Sequence, residues 1–338
     1  MDNIKYCCTD NNNNCNKISS NVVLSKRFAI FTLIFGGDAY LPGVIALGIS
    51  IRHLSKEKAS LIDLCCMVCS DVSESARVFL RKFYDKVIDV AYIEIDPSKI
   101  AHRDEKTRRA YSKTFTKMRC FEFTSYDKIL FLDADMLVLS DEVFSLFNLN
   151  TPAAIFLGGT KDKYFKNANL LQTFQETYCE NLHGNLIESI ISSNIDPNTI
   201  FDKRPSFNIP IETSVFVITP SENITIKRNI LLKKFGESRY RISGDTELFY
   251  ILFHKQIHAI EPRFFGRWIN PDVYPEVVIL DLYGYLGKPW DIDKLSTMIT
   301  NPDSVYWWKY YMKIYEKKLN TYHLEMFDNL YKKIKEII

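Results

Sequence analysis

Four apolar runs in the first 140 residues share one pattern. FAIFTLIF (28–35), LIDLCCMVC (61–69), VIDVAYIEI (87–95) and KILFLD (128–133) are short, nearly continuous in hydrophobic character, and closed by polar residues. Strands covered on both faces read this way, because neither face alternates with solvent. Between them the period changes. Val44, Leu47, Ile51 and Leu54 recur at helical spacing, as do Ala76, Phe79, Leu80 and Phe83, and a third helix is predicted around 110–124. Asp71 with Glu74 forms a capping-box-like start for the second helix. The alternation predicts an α/β domain with a doubly wound, mostly parallel sheet, in which the strand ending at Asp133 is interior.

The regularity lapses at 158–210, a polar stretch with only short apolar pieces. TSVFVITP and VVILDL then read as strands, and ILLKKF and ELFYILF as helical. Over 303–337, Trp308, Met312, Tyr315, Leu319, Tyr322 and Met326 are spaced as one amphipathic helix docked on the core. The expected organisation is a flexible tail at 1–25, a single domain over 26–300 with 158–210 inserted, and a C-terminal amphipathic helix over 301–338.

Composition narrows the classes. The 338 residues carry a formal charge of +2, so no global field points to nucleic acid or an anionic membrane. The run after Lys26-Arg27 is eight apolar residues, closed by Gly36-Gly37-Asp38, whereas a membrane span needs about 20. No signal peptide is read there, and a cytoplasmic location is expected. Eight cysteines without paired zinc spacing read as structural thiols in a reducing compartment; Cys66 and Cys69 should face opposite sides of a strand.

The candidate chemistry lies at Asp133-Ala134-Asp135. Side chains i and i+2 of a strand share a face, so both carboxylates are expected to project together and grip one divalent ion. Open α/β sheets bind ligands beyond the carboxyl ends of their strands. Carboxylates with open coordination positions suit Mg²⁺ or Mn²⁺ bridged to phosphates. Lys288, in the loop LGKPW after VVILDL, and Lys117, in FTKMR before the aspartate strand, could complete a diphosphate site.

TLIFGGDAYLPGVIALGISI, FTKMRCFEFTSYDKILFLDADMLVLSDEVFSLF and VVILDLYGYLGKPW together resemble the glycogenin and galactinol synthase group of family-8 glycosyltransferases. The resemblance implies a GT-A fold and a Mn²⁺-dependent (or Mg²⁺-dependent), retaining transfer of glucose or galactose from a UDP-sugar. The acceptor hydroxyl would belong to a glycan, polyol or protein, and a homodimer is compatible. It assigns Asp133 and Asp135 to the metal, Lys288 to the diphosphate, and Lys117 to the donor side. Thr32, Leu33 and Tyr40 fall near the uracil, with Arg108 a looser donor-side candidate and Ala134 and Gly287 lying within the two motifs. The 158–210 segment would face the acceptor.

Three positions depart from the family's pattern. A third metal ligand, a histidine, is replaced by Asp281 or Leu282, so Asp281 is the candidate third ligand. Glu212-Thr213-Ser214 replaces the usual Asn-Ser/Ala-Gly, and Asp245-Thr246 keeps an acid but not its neighbouring amide. Asp245 and Glu212 are the candidate catalytic or sugar-orienting carboxylates. Two alternatives stay open: a UDP-sugar-binding protein of this fold with weak or no turnover, and a haloacid-dehalogenase-like phosphatase, whose late acidic motif Ser243-Gly244-Asp245 mimics.

Overall fold

The computed structural model describes residues 27–54, 56–156, 211–239, 241–253, 256–283 and 287–338. The expected tail at 1–25 and insertion at 158–210 lie outside them. A central seven-stranded sheet has the order β3-β2-β1-β4-β7-β6-β8, formed by Lys86–Asp89, Ile62–Val68, Phe28–Ile34, Lys128–Leu132, Ile211–Ile218, Ala153–Phe156 and His258–Ile260. β3, β2, β1 and β4 run parallel, as the α/β alternation predicts. β7 is antiparallel to both β4 and β6, and β8 is parallel to β6. A three-stranded sheet, β5-β10-β9 (Met136–Val138, Ile279–Asp281, Gly266–Arg267), continues from the end of β4.

Strand periodicity explains the unbroken apolar runs. Ile30 and Ile34 of β1, Cys66 and Val68 of β2, Leu130 and Leu132 of β4, and Val215 and Val217 of β7 join one core cluster. Their neighbours Phe31, Met67, Phe131 and Phe216 join a second cluster on the opposite face. Each face is apolar because each is covered, and Cys66 and Cys69 accordingly fall in different clusters. Cys65, Cys66, Cys69 and Cys120 are buried and free; the other four cysteines lie outside the described residues.

Several boundaries differ from expectation. The third run keeps ladder pairing only over β3, four residues long. The predicted third helix is an α-helix at Glu105–Tyr111 followed by a 3₁₀ segment at Thr114–Glu122. The helix Glu74–Leu80 is capped by Ser73, which accepts from the Ala76 amide, rather than by Asp71. Asp71 instead accepts from the Gly36 amide and the Tyr92 hydroxyl. The C-terminal stripe is two helices, Pro302–Lys317 and Glu325–Ile337, with His323 in the left-handed region between them. They fold back so that Tyr315 and Tyr331 stack at 4.2 Å. Trp307, Trp308, Tyr311, Phe327, Leu330 and Ile334 enter the core, while Met326, placed on the stripe by sequence, is exposed. Among the described residues no helix is long and apolar enough to cross a membrane.

Candidate functional site

β4 ends at Leu132, so Asp133 and Asp135 stand on the turn into β5 rather than within a strand. The shared-face argument therefore gives way to a different cause of convergence. The Asp133 amide donates to the Ser214 carbonyl on β7 (2.9 Å), and the Leu282 amide donates to the Asp135 carbonyl (2.9 Å). The turn is thus pinned at one end to the central sheet and at the other to β10. Gly43, in the first turn of the helix Leu41–Leu54, presses against it. A Cβ there would lie 2.8 Å from the Ala134 carbonyl oxygen and 2.3 Å from the Trp290 ring, so only glycine permits this approach.

Each aspartate meets its own lysine. Lys117 reaches from the 3₁₀ segment across the Phe131 ring and places Nζ 2.9 Å from Asp133 Oδ1 and 3.1 Å from Asp245 Oδ2. It also donates to the Thr213 carbonyl at 3.3 Å. Lys288 Nζ contacts Asp135 Oδ2 directly and donates to the Leu282 carbonyl at 3.2 Å. Gly287, at φ 141°, and the Asp291 carboxylate, which accepts from the Lys288 amide at 2.9 Å, set the loop that presents this lysine. Residues separated by more than 150 positions in sequence therefore close one ion-pair cluster.

The remaining carboxylates are also held. Asp245 opens the helix Asp245–Leu252 and accepts from Thr213 Oγ1 at 2.8 Å, which in turn lies 2.7 Å from Thr246 Oγ1. Asp281 accepts from Arg267 Nε at 2.5 Å, and Arg267 Nη2 donates to Glu212 at 3.2 Å. Burial opposes ionisation of Asp133, and although Lys117 counters it, Asp135 and Asp245 add to it and the carboxyl is raised. Asp281 is likewise raised, first by burial and against the pull of Arg267. At Asp135 burial works against the charge, but Lys288 outweighs it and holds the carboxyl below its ordinary range. Both lysines are raised: burial disfavours their charge, and the neighbouring aspartates more than compensate.

Other sequence candidates distribute unevenly. Tyr40 is half-buried, edge-on to Trp290 at 5.6 Å, with Lys288 Nζ 6.0 Å from its ring. Its hydroxyl is pushed up to about 12, chiefly by burial. Thr32 is buried at the end of β1, and its Oγ1 has no hydrogen-bond partner; Leu33 packs into the opposite cluster. Arg108 bonds to the carbonyls of His102 and Arg103, at the start of its own helix, rather than to the acidic pair. Arg267 was not anticipated from sequence. It lies in the aromatic run FFGRW, where neither period nor spacing distinguishes it from a packing residue.

Asp281, expected as a third metal ligand, already has a guanidinium partner and is 2% exposed. Among the described residues, no group of three or more His, Cys, Asp and Glu side chains is arranged to hold a metal. Asp133 and Asp135, although each is paired with a lysine, share one turn and could together hold a cation. Five carboxylates (133, 135, 212, 245, 281) share three cationic partners, Lys117, Lys288 and Arg267, leaving two formal negative charges in excess. A hard divalent ion suits that imbalance and a two-carboxylate site, since such ions complete their shells with water and phosphate oxygens.

The family model for "Glycosyl transferase family 8" matches residues 12–186. "Uncharacterized protein R707" of Acanthamoeba polyphaga mimivirus is 34% identical over 129 residues, covering 38% of this chain and 43% of that protein. Glycogenin-1 of Homo sapiens is 31% identical over 153 residues, covering 45% of this chain and 42% of the relative. The glycosyltransferase GlyE of Streptococcus pneumoniae TIGR4 aligns in structure at a TM-score of 0.48 and 17% identity, over 92% of this chain and 64% of that one. The chain thus spans less than half the length of these two curated relatives.

Proposed function

The chain belongs to glycosyl transferase family 8, and from that premise we propose that it transfers a hexose, glucose or galactose, from a UDP-sugar to a hydroxyl acceptor with retention, aided by Mn²⁺ or Mg²⁺. The observation that carries this reading is the pairing of Asp133 and Asp135 with Lys117 and Lys288 at the carboxyl end of β4. Asp133 and Asp135 would hold the cation, whose chemistry when bound is to neutralise charge on a departing diphosphate. Lys288 is placed to move from Asp135 to phosphate oxygens once that carboxylate has another partner. Its ammonium then stabilises the leaving UDP as negative charge accumulates there. Lys117, buried between Asp133 and Asp245, pairs with both acids and orients them.

Asp245 and Glu212 belong to the same cluster. Asp245, fixed by Thr213 and Lys117, is suited to hold a sugar hydroxyl of the donor. Glu212, tied to Arg267 and to the Thr213 amide, is suited to steer the acceptor. Thr32, Leu33 and Tyr40 are assigned to the nucleoside side, where Tyr40 offers an aromatic ring for stacking.

A second reading, a sugar-nucleotide-binding protein of weak or absent turnover, is favoured by one observation: Asp281 is bound to Arg267 instead of completing a three-ligand site. The two readings separate in one assay of UDP release from UDP-glucose and UDP-galactose with Mn²⁺, with and without oligosaccharide and polyol acceptors. Turnover in wild type that falls about 10²–10³-fold in Asp135→Asn supports the transferase. UDP binding without turnover for any donor supports the binding protein.

A further inference from the structure

Beside the acidic cluster lies a surface that the donor chemistry does not use. Trp268 follows Arg267, is 43% exposed, and adopts φ 56°, a left-handed conformation that is a rare outlier for a bulky side chain. Its backbone amide donates to the buried Asp303 carboxylate at 3.3 Å, and its indole N–H donates to the Tyr283 carbonyl at 3.2 Å. Two hydrogen bonds thus hold a strained, partly exposed residue in place. Strain of this kind persists where surrounding structure over-determines it, and it clusters at ligand-binding positions.

Tyr283 continues the surface. Its ring meets Trp268 edge-on at 6.0 Å and is itself 37% exposed. The Arg267 guanidinium lies 4.4 Å from the Tyr283 ring while gripping Glu212 and Asp281, and Lys288 Nζ is 5.7 Å from it. Tyr111, also 37% exposed, belongs to the same neighbourhood, since its hydroxyl is influenced by Tyr283, Asp245 and Glu212 after burial itself. Partly exposed aromatic side chains therefore lie beside the fixed charges of the cluster.

We propose that Trp268 and Tyr283 form an acceptor subsite that stacks a pyranose ring of a neutral oligosaccharide, with Glu212 and Arg267 at its edge to receive sugar hydroxyls. The assignment rests on the transferase reading and names its acceptor class. A pyranose offers an apolar C–H face and a polar equatorial edge. An aromatic platform beside charged hydrogen-bonding groups complements both. An aliphatic polyol lacks the flat face that such a platform would select, and a lipid surface would have no use for the charged rim.

The chain provides its own probe. Of its four tryptophans, Trp290, Trp307 and Trp308 are 5%, 0% and 0% exposed, so collisional quenching by acrylamide reports on Trp268. Quenching is measured on the full chain with Mn²⁺ and UDP, while neutral glucan hexamers (α-1,4 and β-1,4) and an N-acetylglucosamine hexamer are titrated in. Phosphatidylcholine vesicles form a parallel arm, and UDP affinity is recorded on the same samples. At least one hexamer is expected to reduce Trp268 quenching about twofold or more at saturation. By calorimetry, Trp268→Ala and Tyr283→Ala should weaken that hexamer about tenfold or more, and Trp268→Phe should recover most of its binding.

Shielding by vesicles but by no hexamer would overturn the subsite, as would full shielding by Mn²⁺ and UDP alone. It would also fall if a hexamer bound equally well to wild type and Trp268→Ala. Failure of UDP to bind would instead remove the donor reading beneath it, so the two failures remain distinct.

Discussion

Lys117 and Lys288 each meet an aspartate, yet their surroundings give them different duties. Lys117 is 8% exposed, lies between two carboxylates, and donates to a main-chain carbonyl. Removing its charge would leave Asp245, 11% exposed, without its ammonium partner in a poorly hydrated site and would also unpair Asp133, which is 29% exposed. Lys117→Met is therefore expected to destabilise the fold by about 3–5 kcal/mol, the range for a broken buried ion pair. Lys288 is 14% exposed and its partner Asp135 is 16% exposed, so water can take over part of the interaction. Lys288→Met should cost no more than about 2 kcal/mol but weaken UDP affinity about a hundredfold. Urea melts alongside UDP titrations check both. Equal destabilisation by the two variants would contradict this division of roles.

At the scale of elements, the helix Leu41–Leu54 is the wedge that fixes the aspartate turn. Gly43→Ala would drive a methyl group into the Trp290 ring and the Ala134 carbonyl. Overpacking of this kind costs about 1–3 kcal/mol. The turn should shift with it, so UDP affinity falls while far-UV circular dichroism is unchanged. A fully wild-type affinity in Gly43→Ala would show that the turn tolerates displacement. The parallel strands were legible in sequence because both faces are covered, which leaves long apolar runs, and the Asp-Ala-Asp turn follows one of them. Other features left little local trace. The C-terminal helices part at Lys318–His323 without a proline or glycine to mark the break. The true cap, Ser73, sits two residues from the anticipated one because Asp71 is drawn to Gly36 and Tyr92. Arg267 gains its meaning from Glu212 and Asp281, which are distant in sequence, and no pattern within FFGRW could disclose them.

For the whole molecule, the C-terminal helices serve as a brace for the lysine loop. Trp308 Nε1 donates to the Pro289 carbonyl at 2.7 Å, and Trp307 packs on Trp290 at 5.4 Å. Asp303, at the start of the same helix, is buried, and burial raises its carboxyl from 3.8 to about 6 although backbone amides oppose the shift. The folded-state value is the higher, so the folded chain holds the extra proton between about pH 4 and 6. The cost of burying this charge is absent below that window, grows as pH rises through it, and is complete above it. Asp303→Asn is expected to flatten that part of the stability profile and to stabilise the protein by about 1–3 kcal/mol at pH 7.5. Melting temperatures across pH 4–8 provide the check. A wild-type slope in the variant would place the titration elsewhere.

The account turns on a divalent cation held by Asp133 and Asp135 and bridged to a diphosphate that Lys288 receives. Calorimetric titration of UDP into the full chain, with Mn²⁺ and then in chelator, addresses this directly for wild type and Asp135→Asn. Wild type should bind UDP at least tenfold more tightly with the ion, and Asp135→Asn should lose that enhancement while unfolding with the same cooperativity. Equal UDP affinity with and without Mn²⁺ in wild type, or an undiminished ion effect in Asp135→Asn, would contradict it.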